Sequence, residues 1–346
     1  MGNAELSGSL TPAELVLWGG FAIGLAFGVS GQITGFCLAR GLRGRWRGGD
    51  DTALRGFAVA LAIALAGTQL LGYAGIVTLS KSMYLANPFS WLLLPVGAFV
   101  FGCGMVLANG CGARALVLLG QGNLRSFVVL ICLGIAAYMT LTGIVAPLRT
   151  VMQQASSVQL EGGTFGTQGL RFALACVAGL LLLGWALGAR GVRAGPRDLA
   201  GGVVAGLLVL AGWLVTGCLG QDEFDPIAPA SLSFVAPVGE SIQYLMIATG
   251  VKPGFGVMIV AGVLAGAGAT ALLRRRFRLE GFGSPQEMLR YMAGGALMGI
   301  GGTLAMGCSI GQGLTGLSTL SVSSIVAAAG ILAGNAWALH RTRISL

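Results

Sequence analysis

Thiols, an amide and a guanidinium stand together in Gly102-Cys103-Gly104-Met105-Val106-Leu107-Ala108-Asn109-Gly110-Cys111-Gly112-Ala113-Arg114, a stretch otherwise apolar enough to lie in a membrane. The pattern recurs. Gly299-Ile300-Gly301-Gly302-Thr303-Leu304-Ala305-Met306-Gly307-Cys308 repeats Gly-x-Gly and Gly-Cys at an offset of 197 residues, from Cys111 to Cys308. A thiol at a glycine-broken helix can face a path for a small ligand, or it can pack as a small apolar group. Gly110 and Gly307 precede the two thiols, and Asn109, Arg114, Ser309 and Gln312 place polar atoms beside them. That company favours ligand handling by Cys111 and Cys308. Arg114 reads two ways: an anion hook inside the bilayer, or a side chain snorkelling to the bilayer edge.

The other cysteines say less. Cys37, in Thr34-Gly35-Phe36-Cys37, sits among glycines and fits either reading; its counterpart is Thr216-Gly217-Cys218, shifted by one residue. Cys218 leans towards packing. Cys103 matches Ile300 in the repeat and also reads as packing, as do Cys132 and Cys176 in uniformly apolar stretches. Seven cysteines without a CxxC pair point away from a disulfide framework and from a metal site. There is no nucleophile elbow, zinc-protease motif or phosphate loop, and the Gly-x-Gly pairs follow no strand. No cofactor is expected, and no buried carboxylate signals proton coupling.

These residues must be held by helices in lipid. The 346-residue chain is 55% apolar and 10% charged, against about 25% charged in soluble domains. Its mean hydropathy is +0.83, and several apolar runs reach the roughly 20 residues that cross a bilayer. The formal net charge is +9, but the arginines flank apolar runs, where they orient helices. No basic face with interleaved aromatics invites nucleic acid. The first ten residues lack a basic n-region, so no cleavable leader is expected.

Apolar runs near 14–38, 56–79, 92–122 and 126–147 predict four spans, and 171–188 a linking span. Runs near 199–218, 254–273, 287–318 and 321–339 predict four more. Residues 230–250 end at Lys252-Pro253 and read as a segment that dips in and returns. Loop 80–91 is expected outside, with Tyr84 and Trp91 as interface anchors. The clusters Arg40 to Arg55, Arg114 to Arg125, Arg190 to Arg197 and Arg274 to Arg278 predict cytoplasmic loops, with the N-terminus outside and the C-terminus inside. An odd linker inverts the second repeat against the first. The expected fold is therefore all-α integral membrane: about nine transmembrane helices in an inverted repeat, with broken or re-entrant short helices meeting at the membrane centre. Its parts are a first repeat over 1–150, an external loop plus linking helix over 151–198, and a second, inverted repeat over 199–346.

Gly104 to Arg114, Met306-Gly307-Cys308-Ser309-Ile310-Gly311-Gln312-Gly313 and Gly31 to Cys37 together resemble the YeeE/YedE, or sulphur-transport, family. The likeness spans nearly the whole chain. It implies an hourglass-like helical bundle that takes up thiosulfate across the bacterial inner membrane, with Cys37, Cys111 and Cys308 as the implicated thiols. It also implies a separate cytoplasmic partner, a small sulfur-carrier protein of the TusA type. Some members are linked to selenium, so a selenium species or another small sulfur anion is an alternative cargo. From another class, a membrane thiol sulfurtransferase or redox protein would work through cysteine persulfides.

Overall fold

The computed structural model describes residues 11–86, 88–158, 168–188, 195–220 and 227–341. The expected external N-terminal segment, the middle of loop 150–170, Arg190, Arg193, the acidic stretch 221–226 and Arg343 lie outside the described residues. Helix starts follow local chemistry. Thr11 and Glu14 form a capping box around Pro12, which opens α1 (Pro12–Thr34). Asn123 caps α7 (Leu124–Leu141) through the Ser126 N–H. Proline also opens α10 (Pro196–Leu214) and α13 (Pro285–Leu304), where its missing N–H costs nothing.

Between these lie α2 (Leu38–Arg43), α3 (Thr52–Tyr73), α4 (Met83–Ala86), α5 (Leu93–Leu107), α6 (Gly112–Gly120), α8 (Ala146–Ala155) and α9 (Gln168–Leu187). Further on come α11 (Val235–Ile247), α12 (Phe255–Leu273), a π-helical turn (Gly311–Gly316) and α14 (Val322–Arg341). The strands are two residues each, Phe89–Ser90 against Ser157–Val158.

Eight segments among the described residues are long and apolar enough to cross a membrane. This all-α membrane architecture is the expected class. The ninth expected span corresponds to α13, which has the length, 20 residues. Its composition falls short because Gln286, Glu287 and Arg290 open it and Gly294, Gly295, Gly299, Gly301 and Gly302 dilute the rest. Segment 230–250 contains the 13-residue α11, roughly 20 Å of helix and too short to span. The expected spans 92–122 and 287–318 are both broken, at 108–111 and 305–310.

Helices pair in a reciprocal pattern. α1 packs on α12 as α10 packs on α3, α5 on α14 as α13 on α7, and α2 on α3 as α11 on α12. Lipid tails provide no hydrophobic drive between helices, so close backbone approach must hold them. A Cβ on Gly24 or Gly28 would run into the Ile259 or Val263 carbonyl, and one on Gly262 or Gly266 into that of Phe21 or Leu25. α9 packs chiefly against α3 and leaves Leu180 and Leu181 exposed.

The basic loops gather at one end of the bundle. There Arg40 pairs with Asp198, Arg125 with Glu287 at 2.7 Å and Arg55 with Asp51 at 3.1 Å. Backbone bonds join 121–124 to 278–280. At the opposite end, Trp91 is exposed as expected of an interface anchor, but Tyr84 is buried. Its short helix turns inward, where Ser321 donates to the Tyr84 carbonyl at 2.9 Å.

Candidate functional site

Each of the three singled-out cysteines stands at a break in a helix, just before a short one begins. α1 ends at Gly35, whose φ of 67° only glycine takes freely, and Cys37 is the N-cap of α2. α5 ends at 107, Asn109 adopts a left-handed φ of 58°, and Cys111 is the N-cap of α6. α13 ends at 304, Met306 adopts a φ of 56°, Gly307 one of 156°, and Cys308 leads into the π-helical turn. Asn109 and Met306 occupy the same place in the repeat. Asparagine tolerates that conformation, whereas methionine is held there at a cost of about 1–2 kcal/mol. Such strain persists where packing over-determines the turn.

All three thiols are enclosed, with Cys37, Cys111 and Cys308 only 5%, 2% and 1% exposed, and all are free. The Cys37 and Cys111 thiols lie beside each other. Cys111 also lies beside Ser309, whose hydroxyl is buried without a hydrogen-bond partner. Ser309 adjoins Cys308 in the chain, so the groups form one buried line: Cys308, Ser309, Cys111, Cys37. Backbone N–H groups point at the sulfurs. Those of Ala39 and Arg40 face Cys37, that of Arg114 faces Cys111, and Gly311 donates to Cys308 at 3.2 Å.

The remaining predicted residues support this line. Asn109 accepts from Arg43 at 2.5 Å. Gly110 packs under the Arg114 stem, where a Cβ would lie 3.2 Å from Cγ, and Gly307 likewise under Gln312 at 3.1 Å. Gln312 donates to the Ala305 and Met306 carbonyls at 2.7 and 3.3 Å, tying down the break, while its own amide oxygen is unpartnered. Arg114 turns inward to the Gly31 carbonyl at 3.5 Å. Its charge acts on Cys37 together with those of Arg40 and Arg43. The last two read in sequence only as markers of a cytoplasmic loop.

The expected counterpart of Cys37 needs correction. Cys218 is exposed, at the end of a π-helical turn, and donates to the Ile76 carbonyl at 3.5 Å. The residue that stands before α11 as Cys37 stands before α2 is Phe234. Its backbone N–H faces the Cys308 sulfur, so a phenyl ring replaces a fourth thiol. Cys103 donates to the Gly334 carbonyl at 3.4 Å and serves packing.

A cavity of 660 Å³ opens among Tyr84, Tyr138, Arg149, Ser233, Glu240 and Gly307. It reaches the turn just before Cys308. Arg149 is fixed there by the Thr140 and Leu141 carbonyls and by Gln153, at 3.1, 3.3 and 2.9 Å. Glu240 lines the same cavity on α11 and makes no ion pair among the described residues. The reading that no buried carboxylate signals proton coupling passes over Glu240, because the short α11 does not register as a span. No group of three or more potential metal ligands occurs among the described residues.

The site thus combines four short-helix starts, the three enclosed thiols Cys37, Cys111 and Cys308, and an adjoining cavity. The profile of the sulphur-transport family matches residues 33–337, nearly the whole of this arrangement. The chain belongs to that family. Among its relatives, the thiosulfate transporter TsuA of Spirochaeta thermophila is 27% identical over 352 residues, covering 94% of this chain and all of the relative. The thiosulfate transporter TsuA of Escherichia coli is 25% identical over 317 residues, covering 85% and 86%. Both names describe a transporter and not an enzyme, and this family member is a multi-pass membrane protein of the same length class.

Proposed function

We propose that this protein carries thiosulfate inward across the bacterial inner membrane along Cys308, Ser309, Cys111 and Cys37. The observation that carries the reading is that Cys111 lies beside both Cys37 and Ser309, which brings residues from the two halves of the chain into one buried line. The relatives' names supply the cargo. Thiosulfate is a dianion, and stripping its water at membrane depth costs several kcal/mol unless donors replace it. Thiols and backbone N–H groups provide such donors. S–H is a weak donor, which suits a path that must release what it binds.

In this reading the end with the basic loops faces the cytoplasm, which puts the N-terminus outside and the C-terminus inside. The reciprocal helix pairing supports two inverted repeats, 1–150 and 199–346, joined by the loop and linking helix of 151–198. A small sulfur carrier would collect the cargo at the basic end, beyond the Arg40, Arg43 and Arg114 cluster.

The deciding experiment is uptake of radiolabelled thiosulfate into proteoliposomes, with sulfite, sulfate and selenite as competitors. Saturable uptake, suppressed by unlabelled thiosulfate and little affected by sulfate or selenite, is expected. No uptake, or selenite outcompeting thiosulfate, overturns the assignment of cargo. Mass spectrometry after exposure to substrate is expected to find the thiols unmodified; a persulfide on Cys111 or Cys308 would instead mark a sulfurtransferase. Cys103→Ala and Cys218→Ala, which alter packing and an exposed position, are expected to keep uptake within about twofold.

Glu240 puts a negative charge in a vestibule that an anion must cross. Glu240→Gln is expected to raise uptake several-fold at low ionic strength, by removing like-charge repulsion, and the gain is expected to shrink as salt screens the charge. Salt-independent rates in the variant would contradict this.

A further inference from the structure

The geometry points to α8 as a lipid-binding helix that lies flat in the membrane surface, at the end opposite the basic loops. Its outer face rests among lipid acyl chains and its inner face walls the cavity. The inference concerns lipid as a partner and holds whatever the cargo is. At ten residues α8 is about 15 Å long, half of the roughly 30 Å that a bilayer core requires, so it does not span. Both its ends are fixed at one membrane boundary. α7, a segment able to cross, ends at Leu141, and only Thr142 to Val145 separate it from α8. The far end is tied to the start of α5 through the strand pair Phe89–Ser90 and Ser157–Val158, with the Ser90 and Ser156 hydroxyls bonded at 2.6 Å. Trp91, exposed beside that pair, is an interface anchor. Arg149 then sets the fold-back. It donates to the Thr140 and Leu141 carbonyls, which the last turn of a helix leaves without partners. The clip turns the chain across the end of α7 instead of onward along its axis.

The residue types around α8 sort by surroundings. Arg149 and Gln153, four apart, line the cavity. Thr150 and Gln154, also four apart, are polar and exposed. Leu148, Val151 and Met152 share the spacing of one helix face and are exposed, Leu148 by 62% and Val151 by 64%, and Ile144 just ahead of the helix by 83%. An apolar face that buries nothing inside the protein marks a site of contact with something else. Continuity says with what. Ile135 and Met139, exposed on α7 and four apart, lead to the same end of the bundle; on a membrane-crossing segment such side chains meet acyl chains. The α8 face continues that lipid-facing surface past the end of α7. A helix with one apolar and one polar side lies in the interface plane, its apolar side about 5–10 Å into the headgroup and acyl boundary. Lipid thus backs the wall that presents Arg149 and Gln153 to the cavity.

Two measurements on the full chain in nanodiscs of phosphatidylcholine and phosphatidylglycerol test this. The first places single cysteines in a Cys218→Ala background, which removes the exposed thiol. A membrane-impermeant maleimide is added, and its reaction is followed on the α8 peptide by mass spectrometry. Thr150→Cys and Gln154→Cys are expected to react at least about tenfold faster than Leu148→Cys and Val151→Cys, whose thiols would lie below the headgroups, where a charged reagent does not follow. All four positions are exposed, so the substitutions leave the packing of the protein intact. Equal rates at the four positions overturn the inference. The second measurement needs no substitution. The wild-type chain is irradiated in nanodiscs doped with a phosphatidylcholine that carries a photoactivatable diazirine on its acyl chain. Lipid adducts are expected on Leu148, Val151 or Met152. Slow maleimide reaction there without lipid adducts would mean that protein, such as a second copy of this chain, covers the face, and would overturn the assignment to lipid.

Discussion

Replacing Cys111 by alanine is expected to abolish thiosulfate uptake while leaving the protein folded. Cys111 lies beside both neighbours in the line, Cys37 on one side and Ser309 on the other, so its loss interrupts the line in the middle. A hydrogen bond to a charged group is worth about 1.5–3 kcal/mol. Losing 2–3 kcal/mol at the barrier slows passage roughly 30- to 160-fold, below detection in most uptake assays. Cys308→Ala is expected to match it, because Cys308 is the thiol nearest the cavity. Serine at position 111 gives a sharper test. Cys111 is an N-cap without a side-chain cap bond, and serine is a preferred N-cap, so Cys111→Ser is expected to hold or raise thermal stability. Its uptake is nonetheless expected to fall at least tenfold, since a hydroxyl grips oxygen and releases a soft sulfur anion poorly. Size-exclusion profiles and melting temperatures measured beside uptake separate chemistry from folding. Full uptake by both alanine variants would remove the thiols from the mechanism.

The broken helices were legible because glycine, asparagine and cysteine interrupt apolar runs at matching places in both halves. The structure bears out the breaks at 108–111 and 305–310 and brings Cys37 against Cys111. Other features escaped for identifiable reasons. A near-constant offset places the counterpart of Cys37 at Cys218, but the chain between α10 and α11 is longer than that between α1 and α2, and Phe234 takes the place. Tyr84 has the composition of an interface anchor, and only the inward turn of its loop, held by Ser321, buries it. Arg40 and Arg43 were visible as charges at the end of a span, yet their approach to Cys37 depends on α2 folding back at the Gly35 break. Glu240 lies on a helix too short to stand out in hydropathy. For Tyr84 the missing information is a contact between segments remote in the chain, which a one-dimensional pattern does not carry.

Placing a large side chain at a glycine of the α1–α12 crossing is expected to destroy the fold, and with it the site. Gly24 and Gly28 face the carbonyls of α12, and Gly262 and Gly266 face those of α1, at distances where any Cβ would overlap backbone. Such contacts have no flexible side chain to give way. The reciprocal crossing of α3 and α10 is built the same way, with Gly202 against the Gly56 carbonyl and Gly56 against that of Asp198. Overpacking by a few methylenes costs about 1–3 kcal/mol even in adaptable cores, and here the helices must separate. α1 runs directly into Gly35 and Cys37, so separation also pulls Cys37 from Cys111. Gly262→Leu is therefore expected to yield no monodisperse protein in detergent. Gly262→Ala is expected to yield folded protein with a lowered melting temperature and reduced uptake. Gly184→Leu is the matched control: on α9 a Cβ meets nothing within 4 Å, and the added side chain faces lipid. It is expected to behave as wild type in both assays. Equal tolerance of leucine at 262 and 184 would show that these helices do not rely on backbone contact, and the abundance of glycine would then need a different explanation.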